Sequence, residues 1–499
     1  MINIIYTLTN DIFTLMTIKD LKPTLVWEIF DQLTKVPRPS QHEAKVIEFL
    51  VNFAEKHNIK YKKDAAGNIA MFRPAAPGCE NAPRIILQGH MDMVCVANDG
   101  VNHDFFNDPI ETVIDGEWVR ANGTTLGADN GIGVAAGLAA MIDDSIVAGP
   151  IQALFTVDEE VAMTGANNLG EGMIDGDILL NLDSEEDGEI CMGCAGGVGT
   201  HAVFAFTPSP VPDGYKFINI LFKDFQGGHS GTDIHLERAC ANKLVMRFVD
   251  SIMKKRDVKV ANIDFGDKHN AIAVKAEILI GVKADDVDAT LAELDDFYAV
   301  IRNEYKHTEK DMKVIGTVVD APASVIDDCT AHRVVAAVYA APHGVYHMSK
   351  EIDGLVETST NLASVKIKGN EVHVETLQRS SVESRKDEMA QIVEAHFALA
   401  GAQVSHSDPY PGWAPNMDSP ILNIAADTYQ RLFGSRPVTS ALHAGLETGL
   451  FLINYPNLDM ISFGPTLRGV HSPKEKMHIP AVEKFWKLLV AIIETVAKK

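Results

Sequence analysis

The chain has 499 residues, with 44 Lys+Arg against 68 Asp+Glu and a formal net charge of −24. That excess repels phosphate backbones and anionic bilayers, which excludes nucleic acid and membrane surfaces as main partners. The length suggests two to four domains, and a hydrophobic share of 46% builds their cores without disulfide staples.

The opening stretch lacks a basic segment and a small-residue cleavage site and carries Asp11, so it does not read as a signal peptide. Met16 is a more conventional start, and residues 1–15 are expected outside the fold. No run of 18 apolar residues occurs, so no membrane span is expected. Six cysteines are scattered, with a single C-x-x-C at Cys191 and Cys194. They read as reduced structural thiols of a cytoplasmic protein.

Residues 20–58 carry apolar positions at helical spacing, broken at Val36-Pro37-Arg38-Pro39. Ser40 followed by Glu43 has capping-box spacing and predicts a helix start there. Arg84–Gln88, Gln152–Val157 and Ile178–Leu182 read as buried strands, with an Ala/Gly-rich helix around Gly131–Met141. Strands alternating with helices predict an α/β domain with a mostly parallel central sheet. From about residue 199 to 402, longer alternating strands predict an inserted α+β domain of two α-β-β-α units. His269–Ile272 and Thr360–Ala363 each precede a similar strand pattern, which suggests a duplication; chance likeness is the alternative. Residues 403–499 return to α/β texture. The expected organisation is 17–198 and 403–499 as one α/β domain, interrupted by an insertion at 199–402.

Ligands of open α/β sheets bind beyond the strand ends. Here those ends carry acids and histidines: Gly89-His90-Met91-Asp92, Asp158-Glu159-Glu160, Asp183, and the helix-opening turn Gly127-Ala128-Asp129-Asn130-Gly131. Gly469-Val470-His471 follows the last apolar run. Zinc takes His nitrogen and carboxylate oxygen, and a paired site needs one bridging carboxylate. His90, Asp129, Glu160, Asp183 and His471 supply that set. Asp92, two residues after His90, is placed to orient its ring. Glu159, beside the ligand Glu160, is placed as general base. Each residue alone has a plainer reading: Asp129 as a helix N-cap, Glu159-Glu160 as solvated surface. Several such turns following apolar strands favour the metal reading.

GHMDMV, TTLGADNGIG, FTVDEEVAMTGA, LLNLDSEE and GPTLRGVHSPKE resemble the motifs of the dinuclear zinc peptidases and deacylases. That family includes acetylornithine deacetylase, carboxypeptidase G and the aminotripeptidase. VPRPSQHE, GEICMGCAGG, GGHSGTDIHLERACANKL, GLVETSTNLASV, YPGWAPNMDSP and ALHAGLETG resemble the aminoacyl-histidine (Xaa-His) dipeptidase subgroup. The resemblance implies a zinc-peptidase fold with the α/β domain catalytic and the inserted domain as its lid, and two Zn²⁺ per subunit, with Mn²⁺ or Co²⁺ as substitutes. His90 and Asp183 would bind one ion, Glu160 and His471 the other, and Asp129 both. It assigns His229 to the oxyanion, Asn270 and Arg379 to substrate, with Arg379 clamping the dipeptide carboxylate, and Gly445 to the substrate backbone. Gly227-Gly228 also reads as a plain turn, and Arg379 as a partner of Glu375 or Glu383. The implied activity is hydrolysis of Xaa-His and other unblocked dipeptides. A homodimer is compatible, with His229 acting in cis. The alternatives are an N-acyl amino acid deacylase with the same metal site, and an inactive zinc-binding scaffold.

Overall fold

The fold is that of a computed structural model, which describes residues 17–498. The expectations for residues 1–15 and Met16 fall outside the described residues. The chain forms two compact units. One comprises the residues up to 191 with 417–439 and 455–499; the other comprises 192–416 and 440–454.

The first unit is built on a sheet whose centre is four parallel strands in the order Ile151–Thr156, Ile85–His90, Ile178–Asn181, Asp459–Ser462. All six residues of Ile85–His90 and of Ile151–Thr156 are buried, as strands covered on both faces require. Antiparallel strands Ile69–Arg73 and Lys60–Lys63 extend one side. Helix Ala128–Ile142 packs against Ile85–His90 and against helix Thr24–Leu33. A smaller sheet joins Thr112–Asp115, Trp118–Ala121, Lys476–His478 and Leu467–Arg468. Its last two strands form a hairpin that carries His471 in the connecting loop.

The Ser40 expectation needs correction. The helix begins at Ala44 after Glu43. Ser40 Oγ turns to the Met93 carbonyl at 3.4 Å, while Glu43 Oε1 accepts the N–H of Gln41 and that of Asp158. A carboxylate with a better use elsewhere in the fold leaves the capping box unformed.

The second unit is a nine-stranded antiparallel sheet, eight strands in one row and Gly344–Met348 paired beside Val356–Lys368, with helices Ala241–Met253, Val287–Glu304, Asp328–Ala340 and Glu383–Leu399. One half orders its strands Lys313–Val319, Tyr215–Lys223, Ala276–Lys283, Lys259–Phe265. The other orders them Val356–Lys368, Glu371–Ser380, Gly196–Ala205, Gln403–Tyr410. Each half runs β-α-β-β-α-β along the chain. They meet where Asp264 and Phe265 pair with Lys366 and Val365. The two segments compared in the sequence do not occupy matching places, however. Asn270 lies between the second and third strands of its half, whereas Asn361 lies inside the second strand of the other. The domain limits shift as well. Gly196–Ala205 and Gln403–Tyr410 both pair into this sheet, and residues 440–454 belong to this unit rather than to the catalytic part.

Candidate metal centre

Three ligand-bearing turns follow parallel strands of the first unit. His90 ends its strand with 1% exposure. Asp158, in a left-handed conformation (φ 52), turns the chain into the short helix Glu159–Ala162. Asp183 lies just past Ile178–Asn181.

Asp129 faces two imidazoles at once. Its Oδ1 is 3.0 Å from His90 Nε2 and its Oδ2 is 3.1 Å from His471 Nε2. Asp183 Oδ1 lies 3.4 Å from His90 Nε2, and Glu160 Oε2 lies 2.8 Å from His471 Nε2. Two triads result, His90–Asp129–Asp183 and Asp129–Glu160–His471, with Asp129 common to both. Glu159 Oε2 is 4.0 Å from His90 Nε2. Asp92 Oδ1 approaches His90 Nδ1 to 3.3 Å, near enough to hold the ring but outside good hydrogen-bond geometry. Its two oxygens accept the N–H groups of Glu159 and Glu160 at 3.1 and 3.3 Å. Asp92 thereby ties the His90 turn to the Glu159 turn.

The electrostatics show a surplus of negative charge. Hydrogen bonds that the Asp129 and Glu160 carboxylates accept from its ring push His471 up to about 11. Burial works against protonation of His90, yet Asp183, Asp129 and Asp92 carry its pKa well above the usual imidazole value. Burial pushes Asp183 up to about 6. Burial also raises Asp92, but His90 and the Glu159 N–H outweigh it and hold the carboxyl down at about 2. Five carboxylates converging on two imidazoles form an oxygen-and-nitrogen donor set that divalent cations fit.

The second unit gathers a different group. Gly228–His229 pairs with Ala271–Ile272, and the Ser230 N–H donates to the Asn270 carbonyl at 2.9 Å. The N–H groups of Gly231 and Thr232 both donate to His229 Nδ1, at 3.2 and 3.1 Å, so the ring proton sits on Nε2. A Cβ at Gly231 would lie 2.0 Å from the His443 carbonyl oxygen, so only glycine allows this approach. Arg379 is 4% exposed, donating to the Tyr410 hydroxyl at 2.6 Å and weakly to Ser230 Oγ at 3.5 Å. Among the described residues no carboxylate pairs with it. Glu375 takes the Ser364 hydroxyl, and Glu383 takes Lys386 and the Gly412 N–H. Burial and the nearby Arg379 push His229 down to about 4 and His443 to about 3, so both rings are neutral. Gly445 is half-buried between strand Val438–Leu442 and helix Glu447–Phe451.

The model of peptidase family M20/M25/M40 matches residues 86–495. The chain belongs to this family. It is 38% identical over 482 residues to the cytosol non-specific dipeptidase of Escherichia coli K12, covering 97% of this chain and 99% of that one. The solved aminoacylhistidine dipeptidase from Vibrio alginolyticus is 41% identical, with a TM-score of 0.87 over 96% of this chain and 98% of that one. The aminopeptidase PepT from Bacillus cereus, 17% identical, shares the fold with a TM-score of 0.60, covering 96% and 99% of the two chains. The M20 resemblance carried by the motifs therefore holds, down to the aminoacyl-histidine dipeptidase subgroup.

Several M20-site residues escaped the sequence reading. Asn130 Nδ2 donates to the Leu182 carbonyl at 3.2 Å and to Asp183 Oδ1. His443 shares a 2.7 Å hydrogen bond with Ser359 Oγ. Arg38 and Glu475, each 2% exposed, grip the backbone behind the ligands. All of them sit in stretches that carry the family resemblance, which is the one signal that could mark them.

Proposed function

We propose that this M20 chain is a dinuclear metallo-dipeptidase that hydrolyses Xaa-His and other unblocked dipeptides. The observation that carries the reading is the placement of Asp129, one oxygen toward each imidazole. The names of its two near relatives, both dipeptidases, support the substrate class. The Escherichia coli relative's name also supports action in the cytosol, and no helix among the described residues is long and apolar enough to cross a membrane.

His90 and Asp183 would hold one cation, Glu160 and His471 the other, and Asp129 both. Zinc suits these donors, with manganese or cobalt as substitutes. Bound there, the two cations would act as Lewis acids toward the scissile carbonyl and make a water more acidic. Glu159 takes the proton of the attacking water and passes it to the leaving amine as the C–N bond breaks. Asp92 holds His90 and the Glu159 turn in register. The Nε2–H of His229 donates to the oxyanion, a role open to a neutral ring with a fixed tautomer. Arg379 binds the free carboxylate of the dipeptide, and a bidentate guanidinium suits it. Asn270 and Gly445 contact the substrate backbone.

The test is an assay of zinc-loaded protein on β-alanyl-histidine, a second Xaa-His dipeptide, a dipeptide without His, and an N-acetyl amino acid. Turnover of the dipeptides is the expected result. Turnover of the N-acetyl compound alone would replace this reading with a deacylase. No turnover at all would make the chain a metal-binding scaffold.

A further inference from the structure

The turn that leads into helix Ala128–Ile142 is held in an unusual way. Asp129 (ψ 113) and Asn130 (ψ 33) lie outside helical geometry, so residues 126–129 form a turn ahead of the regular helix, and its backbone N–H groups need acceptors. Gly127 at its centre has no side chain to offer. A carboxylate from far along the chain serves instead. Glu475 Oε2 accepts the N–H of Leu126 at 2.7 Å and of Gly127 at 2.9 Å, and Oε1 accepts Ala128 at 2.7 Å and Asp129 at 3.3 Å. Converging backbone N–H groups of a turn favour a buried anion.

Arg38 grips the same turn through its carbonyls. Its Nη2 donates to Gly127 O, and its Nη1 donates to Met91 O at 3.1 Å and Asp92 O at 2.8 Å. Two glycines make room for it. A Cβ at Gly127 would lie 2.5 Å from Arg38 Nη2, and one at Gly131 would lie 2.6 Å from it. Gly127 also holds φ at 69, a left-handed value that glycine adopts without cost. The two buried charges are opposite in sign, so each offsets the desolvation of the other.

Three ligand-bearing segments are joined in this way. Arg38 ties the His90–Asp92 turn to Gly127. Glu475 ties residues 126–129 to the hairpin loop four residues after His471. Because Glu475 takes these N–H groups, the Asp129 carboxylate is free to face the histidines.

We propose that Arg38 and Glu475 form a two-sided clamp that aligns Asp129 between His90 and His471 and so sets the spacing of the two cation positions. Both are positioning residues, since neither reaches the ligand atoms themselves. The proposal rests on the dinuclear reading above.

The experiment uses metal-free full-length protein titrated with Mn²⁺, read by calorimetry and electron paramagnetic resonance. The wild type is expected to take two ions and to give an exchange-coupled spectrum. Binding of fewer than two would overturn the dinuclear reading itself, and the clamp with it. Glu475→Gln keeps one acceptor oxygen and loses the charge; Arg38→Lys keeps the charge and loses the fork. Each is expected to melt cooperatively without metal and to keep the first ion. Each should bind the second about 10–100-fold more weakly, the scale seen when groups behind metal ligands are altered. The spectrum should shift toward isolated Mn²⁺. Two ions at wild-type affinity with an unchanged coupled spectrum would overturn the clamp while leaving the dinuclear site standing. Metal-free variants that are both unfolded would make these residues part of the general core and would also overturn it.

Discussion

The polar clusters of the two units are opposites in charge and in construction. The first unit collects five carboxylates around two imidazoles, on turns that follow buried parallel strands. The second collects a buried guanidinium with no carboxylate partner among the described residues, two neutral imidazoles and several hydroxyls, held by antiparallel strands. One cluster is short of positive charge and the other of negative. A burial that leaves charge unbalanced is costly, so it marks places where a ligand completes the balance. Cations fit the first cluster and a carboxylate fits the second, and an unblocked dipeptide with its free carboxylate end suits the latter.

The comparison breaks most sharply at Glu159. Glu159→Gln is expected to lower kcat by about 10²–10⁴-fold while cation content, measured by elemental analysis, stays at two. A variant with normal kcat would remove Glu159 as the base. His229→Ala comes next. Loss of an oxyanion donor should lower kcat by about 10²–10³-fold with KM little changed. Mixing His229→Ala subunits with Glu159→Ala subunits should restore nothing if His229 serves its own chain; recovery of activity would put it in a partner.

Arg379→Met tests the opposite cluster. Charged hydrogen bonds contribute about 1.5–3 kcal/mol, so KM for free dipeptides should rise about 10–100-fold. Dipeptide amides should be affected far less, and equal effects on both would sink the carboxylate role. The smallest expected effect concerns acid stability of the second unit. His229 and His443 have folded pKa values of about 4 and 3, below the ordinary value of 6.5. Between about pH 6.5 and 4 the unfolded chain therefore binds protons that the folded unit refuses. Stability is fully present above 6.5 and falls with pH, roughly tenfold in the folding equilibrium per unit for a group such as His443. Denaturant midpoints measured from pH 7.5 to 4.5 should show this slope, and His443→Gln should flatten it.

How much of this was legible depended on sequence distance. The strands ending in His90, Asp158 and Asp183 could be read because apolar runs and their acid-bearing turns are contiguous. The return to α/β texture after the insertion was readable from Leu458–Ser462. Glu475 was not legible as a cap, because the N–H groups it accepts lie 346 to 349 residues away and a lone Glu looks solvated. Ser40 misled because a capping box is a local pattern, whereas the Glu43 side chain answers to Asp158 across the fold. Residues 440–454 read as part of the catalytic domain because texture alone does not say which unit a returning loop packs into.

Strand Asp459–Ser462 lies beside Ile178–Asn181, with Glu189–Cys194 on its other side. It is made about 280 residues after its parallel partner. At about 5–20 residues per second, a ribosome needs tens of seconds to span that interval. For that time the nascent sheet has an open edge, which invites wrong pairing unless something covers it. The carboxylates at 129, 160 and 183 meanwhile wait without His471, and the Ala128 helix waits without Glu475. With His471 as a ligand in the proposed site, activity is expected to begin only after that residue has emerged, so the hydrolase would stay silent while it is being made.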